Sequence, residues 1–122
     1  MTVHTLVLHP DADAFEVAVL EPDDSGLYLH ALYVSLDVRV VDVIRLTDDI
    51  DCWHDDEGRV DGAAENPLGT SLLRAFGWHL AHDDAVRGSM LFAGHDRRGG
   101  MASLTDRQRE VITDALVQAV RM

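Results

Sequence analysis

At 122 residues and 47% hydrophobic content, the chain suits one domain with a modest core. A soluble domain of this size buries about two-thirds of its unfolded surface without disulfides or a metal. Its one cysteine, Cys52, excludes an internal disulfide and fits a reducing compartment. Twenty-two acids against ten arginines give a net charge of −12, which repels nucleic acid and anionic membranes and attracts basic partners.

The first segment, "TVHTLVLH" (2–9), is rich in β-branched residues and reads as a strand ended by Pro10. Apolar alternation at Phe15, Val17 and Val19 suggests a second strand, closed by the turn-forming run Pro22 to Gly26. "LYLHALYVSL" (27–36) fits a short helix, although its Leu, Tyr and Val density also suits a strand. A strand follows in "VRVVDVIRL" (38–46). "DIDCWHD" (49–55) and "GRVDGAA" (58–64) then read as a hairpin, with Gly58 supplying positive φ at the turn.

The next signals are helical. Asn66 is a preferred N-cap and Pro67 a preferred first helical residue. Leu68, Leu72, Leu73, Phe76 and Leu80 keep helical spacing, so a helix is expected over about 67–80, weakened by Gly69 and Gly77 and held by packing. "AVRGSMLFAG" (85–94) reads as a buried strand, and "HDRRGGMA" as a loop. A final helix over about 104–121 is capped through Ser103 or Thr105, with Asp106 or Gln108 three residues on. Leu104, Ile112, Leu116, Ala119 and Val120 make its apolar stripe. The fold class expected is α+β: a single domain over 1–122, a mainly antiparallel sheet with two main helices.

Residues 54–70 concentrate a histidine, five carboxylates, three glycines and an Asn-Pro pair. A metal site there would draw on Cys52 and His54, which share one side of a strand, together with His79 and His82 one helical turn apart. The plainer account is a buried thiol and surface histidines, and no metal or other cofactor is expected. Asp55, Asp56, Glu57 and Asp61 fall in a turn, where they point apart and stay solvated. Catalytic carboxylates need burial or a close like charge, so no catalytic residue is assigned. "LTDRQREVI" (104–112) is similar to the opening of the helix-turn-helix domain of LuxR-type regulators, but no recognition helix follows before Met122. "GHDRRGG" lacks the lysine and spacing of a P-loop, and no serine sits in a G-x-S-x-G context.

The middle of the chain resembles the DUF3846 family. The likeness rests on "VVDVIRLTDDIDCWHDDEGRVDGAAENPLGTSLL", "AVRGSMLFAG" and "SLTDRQ", and is carried by Glu57-Gly58, Asn66-Pro67, Gly88 and Gly94. It covers roughly residues 37–106, and the double glycine that members often show before the 38–46 strand is missing here. The resemblance implies a small protein of bacteria, actinobacteria among them, of phages or of mobile elements. It brings no established catalytic residues.

The charge is uneven along the chain: residues 1–66 hold 16 acids and three arginines, and residues 67–122 hold six acids and seven arginines. A chain without lysine usually reflects GC-rich coding. "MTVHTLVLHP" lacks a cationic leader segment, and no apolar run nears the ~18 residues that span a bilayer. The reading is therefore a cytoplasmic binding or accessory protein that acts by protein contact, with no enzymatic role assigned. Its interaction residues are expected among Asp48, Asp49, Asp51, Asp55, Asp56, Glu57 and Asp61. Its partner is a protein, of which a basic or DNA-binding one is the class favoured; neither direct nucleic-acid nor membrane binding is expected. A homodimer is compatible with this. The alternatives are an acidic DNA mimic that blocks a host DNA-binding protein, and a metal-binding protein or small hydrolase.

Overall fold

A computed structural model describes residues 2–55, 62–78 and 85–121. In chain order these form β1 (Val3–Leu8), β2 (Glu16–Leu20), α1 (Leu29–Leu36), β3 (Val41–Arg45), β4 (Ile50–Asp55), α2 (Pro67–Ala75), β5 (Met90–His95), β6 (Met101–Ala102) and α3 (Asp106–Arg121). The fold is α+β, as the sequence implies, with α1 as a third helix beside the two main ones. The strands make one six-stranded sheet in the order β2-β1-β5-β4-β3, and β6 joins β5. Each strand pairing is antiparallel.

Strand alternation divides the core in two. Leu6, Leu8, Ile50, Cys52, Met90 and Phe92 face α2 and α3, where they meet Leu72, Leu73, Ile112 and Leu116. Val3, Val7, Leu20, Leu91 and Ala93 face the opposite way, against Leu32 and Leu36 of α1. The central strand β5 is covered on both sides, which explains its unbroken apolar run. In β2 the alternation serves the other face. Leu20 is buried, whereas Val17 and Val19, the expected core positions, are exposed on this edge strand.

Local signals set the helix starts. The Asn66 side chain accepts from the Gly69 N–H at 3.0 Å, and Pro67 stands at the first helical position. In α3, Thr105 and Gln108 cap each other: the Thr105 hydroxyl accepts from the Gln108 N–H, and Gln108 Oε1 accepts from the Thr105 N–H. Ser103 instead accepts from the His4 N–H. Gln108 is itself buried and its Nε2 donates to the Asp49 carbonyl, tying the start of α3 to the β3–β4 turn.

The helix ends and two strand expectations need correction. Gly77 does not lie inside a helix reaching residue 80: at φ +90° it is the left-handed residue that ends α2. The N–H groups of Gly77 and Trp78 reach back to the Arg74 and Leu73 carbonyls in a Schellman arrangement. Val120, placed in the α3 stripe by its spacing, is exposed, and Leu104 is buried just ahead of the helix. The strand expected over 85–94 begins only at Met90. Gly88, at φ +83°, breaks the extended chain before it. The hairpin expected between 49–55 and 58–64 has no place on β4, because β3 and β5 occupy both edges of Ile50–Asp55. Residues 62–64 form no strand, and Gly58 itself lies outside the described residues.

Gly69 has a packing role. A Cβ there would run into the Met90 sulfur and the Asn66 side chain, so its absence lets α2 approach β5. At Gly94 a Cβ would stand 3.3 Å from Gln108 Oε1 and from the Ser103 carbonyl. Asn66 is fully buried, and its Nδ2 donates to the carbonyls of Leu8 and Gly88, each at 3.0 Å. Replacing it by Ala removes the cap and strands two carbonyls, so urea unfolding of Asn66→Ala should show a loss of roughly 2–4 kcal/mol. Asn66→Asp keeps the cap acceptor yet turns an oxygen towards two carbonyls. It should also be clearly destabilised, whereas a role limited to capping would leave it near wild type.

Candidate functional site

A cluster of polar side chains from β3, β4 and β5 gathers on the α1 side of the sheet. On β4, Asp51, Trp53 and Asp55 share this face, while Cys52 and His54 take the other. Arg45 stands opposite Asp51 in the β3–β4 register, and His95 ends β5 diagonally across from it. His95 Nδ1 lies 3.1 Å from Asp51 Oδ2, and Arg45 Nε lies 3.6 Å from Oδ1. An ionised carboxylate only accepts, so in that state His95 Nδ1 is the donor of this hydrogen bond.

Two turns frame this row. In the β3–β4 turn the Thr47 hydroxyl accepts from the N–H groups of Asp49 and Ile50 and donates to the Asp49 carboxylate. In the β5–β6 turn the Asp96 carboxylate accepts from the N–H groups of Arg98 and Gly100, with Gly99 at φ +81°. Between the turns lies a polar pocket of about 340 Å³, lined by Arg45, Asp48, Asp49, His95, Asp96, Arg97 and Gly99. An apolar chamber of about 550 Å³ adjoins it under the start of α1, walled by Leu27, Tyr28, Leu29, Leu32, Trp53 and Met101. The two share Asp96 and Gly99. A concave apolar site with a few convergent polar groups is the usual form of a ligand cleft.

Two buried polar atoms of this region make no hydrogen bond: Asp51 Oδ1 and Trp53 Nε1. They sit two residues apart on the same face of β4, an acceptor without a donor and a donor without an acceptor. Such groups cost about 1–3 kcal/mol each when shielded from water. For Asp51 Oδ1 the Arg45 guanidinium offsets part of that cost.

The model of the DUF3846 family, "Domain of unknown function (DUF3846)", matches residues 1–117 of the 122. The chain belongs to the DUF3846 family. The match extends well beyond residues 37–106, taking in β1, β2 and α1. Comparison with curated proteins and with solved structures gives no match.

Within this DUF3846 protein the residues singled out by sequence divide by burial. Asp48 and Asp49 are exposed at the mouth of the polar pocket. Asp55, expected as a solvated turn carboxylate, is only 8% exposed, and Asp51, expected as an interaction residue, only 6%. Both belong to β4, Asp51 as its second residue and Asp55 as its last, rather than to a turn. Asp56, Glu57, Gly58 and Asp61 lie outside the described residues, as do His79 and His82. Cys52 and His54 share a strand face, as expected. Cys52, however, is locked in the core, and among the described residues no three His, Cys, Asp or Glu side chains gather as metal ligands. Asn66 and Pro67 start α2, and Gly88 and Gly94 fill conformational and packing roles. Arg45, Trp53 and His95 escaped sequence reasoning. The His95–Asp51 pair joins residues 44 apart, so no local pattern marks it.

Burial raises the Cys52 thiol far above its ordinary range, and the neighbouring Asp51 charge adds to the effect. The thiolate is the reactive form, so Cys52 should resist a disulfide-exchange reagent in the native protein and react fully once unfolded. Native-state labelling at the rate of a free thiol would contradict the packing. Asp51→Ala leaves His95 Nδ1 without its acceptor and should cost about 1–3 kcal/mol in urea unfolding, with Asp51→Asn, which retains an acceptor, losing less.

Proposed function

We propose that this protein is a small binding or accessory protein that acts through contact with a protein partner, and that the cleft on its α1 side is the contact surface. The observation that carries this reading is the apolar chamber joined to a charged pocket on a sheet face that one eight-residue helix covers in part. Leu27 and Leu29, which flank the chamber, are 60% and 46% exposed. Large apolar groups exposed beside a concavity mark interaction sites. Contact is favoured over nucleophilic chemistry because the Thr47 hydroxyl is committed to its turn and the Cys52 thiol lies on the other sheet face. The negative charge favours a basic partner in a cytoplasmic setting, and the family resemblance favours a phage or mobile-element origin. No helix among the described residues is long and apolar enough to cross a membrane.

A DNA-mimic role is less well supported. It calls for a stripe of exposed carboxylates on one face, whereas Glu16 and Asp42 are exposed on opposite faces of the sheet and Asp51 and Asp55 are buried.

The test is capture of partners from the native host on the immobilised protein, followed by binding measurements with the purified partner. Affinity should fall roughly tenfold between about 0.05 and 0.5 M salt, as expected for screened charges at an interface. Leu29→Asp should weaken it further while leaving the circular dichroism unchanged. A partner whose affinity ignores both salt and the Leu29 substitution would rule this surface out.

A further inference from the structure

The cleft has two unlike ends, and their chemistry constrains what can lie in it. Its apolar end is walled by Tyr28, Leu32, Trp53 and Met101, with Leu27 and Leu29 at the rim. Its polar end presents the exposed carboxylates of Asp48 and Asp49, with Asp96 on the boundary between the two. Of the two arginines at that end, Arg45 already has Asp51 as its ion-pair partner. Carboxylates therefore outnumber the available cations at the polar end, inside a molecule whose net charge is −12. An anionic ligand would meet repulsion there; a cationic one is drawn in and paired.

We infer that the cleft takes an extended segment of a partner protein in which a bulky apolar side chain is followed closely by an arginine or lysine. The inference rests on the contact role proposed above and specifies its partner. The apolar side chain fills the chamber against Trp53 and Tyr28, and the cation reaches Asp48 and Asp49. In an extended chain, residues two apart project to the same side, roughly 7 Å from one another. One short stretch thus presents both groups to neighbouring compartments that share Asp96 and Gly99. Trp53 Nε1, which has no acceptor, gains a backbone carbonyl of the segment if the ring turns towards the chamber. An arginine suits the charged end better than a lysine, because its planar fork engages carboxylates in pairs.

The test uses two blocked hexapeptides of identical length, one with a Phe-Ser-Arg core and one with a Phe-Ser-Glu core. Trp78→Phe leaves Trp53 as the sole indole, so Trp53 emission reports occupancy of the chamber. The basic peptide should change that emission and bind at least about tenfold more tightly than the acidic one, the advantage shrinking with salt. Leu29→Asp and Asp48→Arg should each weaken it, whereas Val34→Gln, on an exposed part of α1 outside the cleft, should not. Equal affinity for the two peptides, binding by neither, or indifference to Leu29→Asp overturns the inference. Loss of native-partner capture in Leu29→Asp alongside charge-blind peptide binding overturns this inference and leaves the contact role standing. Unchanged capture in that variant overturns the contact role as well.

Discussion

The amide of Asn66 donates to the carbonyls of Leu8 and Gly88 while its oxygen accepts from Gly69. One fully buried side chain thus joins the end of β1, the approach to β5 and the first turn of α2. The bonds to Leu8 and Gly69 are shielded from water and the one to Gly88 is partly so, and a shielded bond is worth more than its surface equivalent. The backbone adds to the same junction: the Asn66 N–H donates to the Val86 carbonyl, and the Val86 N–H donates to the Thr70 hydroxyl. Gly69 lets the helix sit close enough for this network to close, since any side chain there would collide with Met90.

That junction decides which side of the sheet receives α2 and α3. With α2 fixed across β1 and β5, and α3 drawn to the β3–β4 turn by Gln108, both long helices occupy one face. Among the described residues the other face receives one helix, α1, whose Leu32 and Leu36 cover the Val3, Val7 and Leu91 region. The row of Arg45, Asp51 and His95, and Trp53 beside it, lies at the margin of that cover. The cleft is thus a consequence of unequal helix coverage on the two faces, and its polar mouth comes from the two turns at that end of the sheet.

What the sequence disclosed followed the range of the interactions concerned. The Asn66-Pro67 helix start is set within three or four residues and reads directly, and the Thr105–Gln108 capping box is one of the two that the sequence leaves open. The α+β class also followed, because periodicity is local. The hairpin proposed across Gly58 did not, since strand pairing is settled by β3 and β5 competing for the two edges of β4. Gly77 was misplaced for a subtler reason: a glycine inside an apolar period reads as a weak helical position, whereas its backbone freedom was being used to stop the helix. The candidate site was the least legible part. Asp51 reads as one more acid in an acidic stretch until His95, far along the chain, is brought beside it.

The acidic composition therefore conceals two populations of carboxylate. Asp48 and Asp49 keep their hydration at the surface and contribute to the long-range field. Asp51, two residues on, points into the sheet and is held between an arginine and a histidine. A buried carboxylate of this kind contributes little to the field at a distance, because its charge is partly compensated locally. Its stronger effect is nearby, where it fixes the His95 ring and adds to the forces that keep the Cys52 thiol protonated on the opposite face. Net charge alone overstates the negative surface. The turns leave a smaller set of carboxylates in solvent, among them Asp96, which lines the apolar chamber, and Asp48 and Asp49, which line the polar pocket beside it.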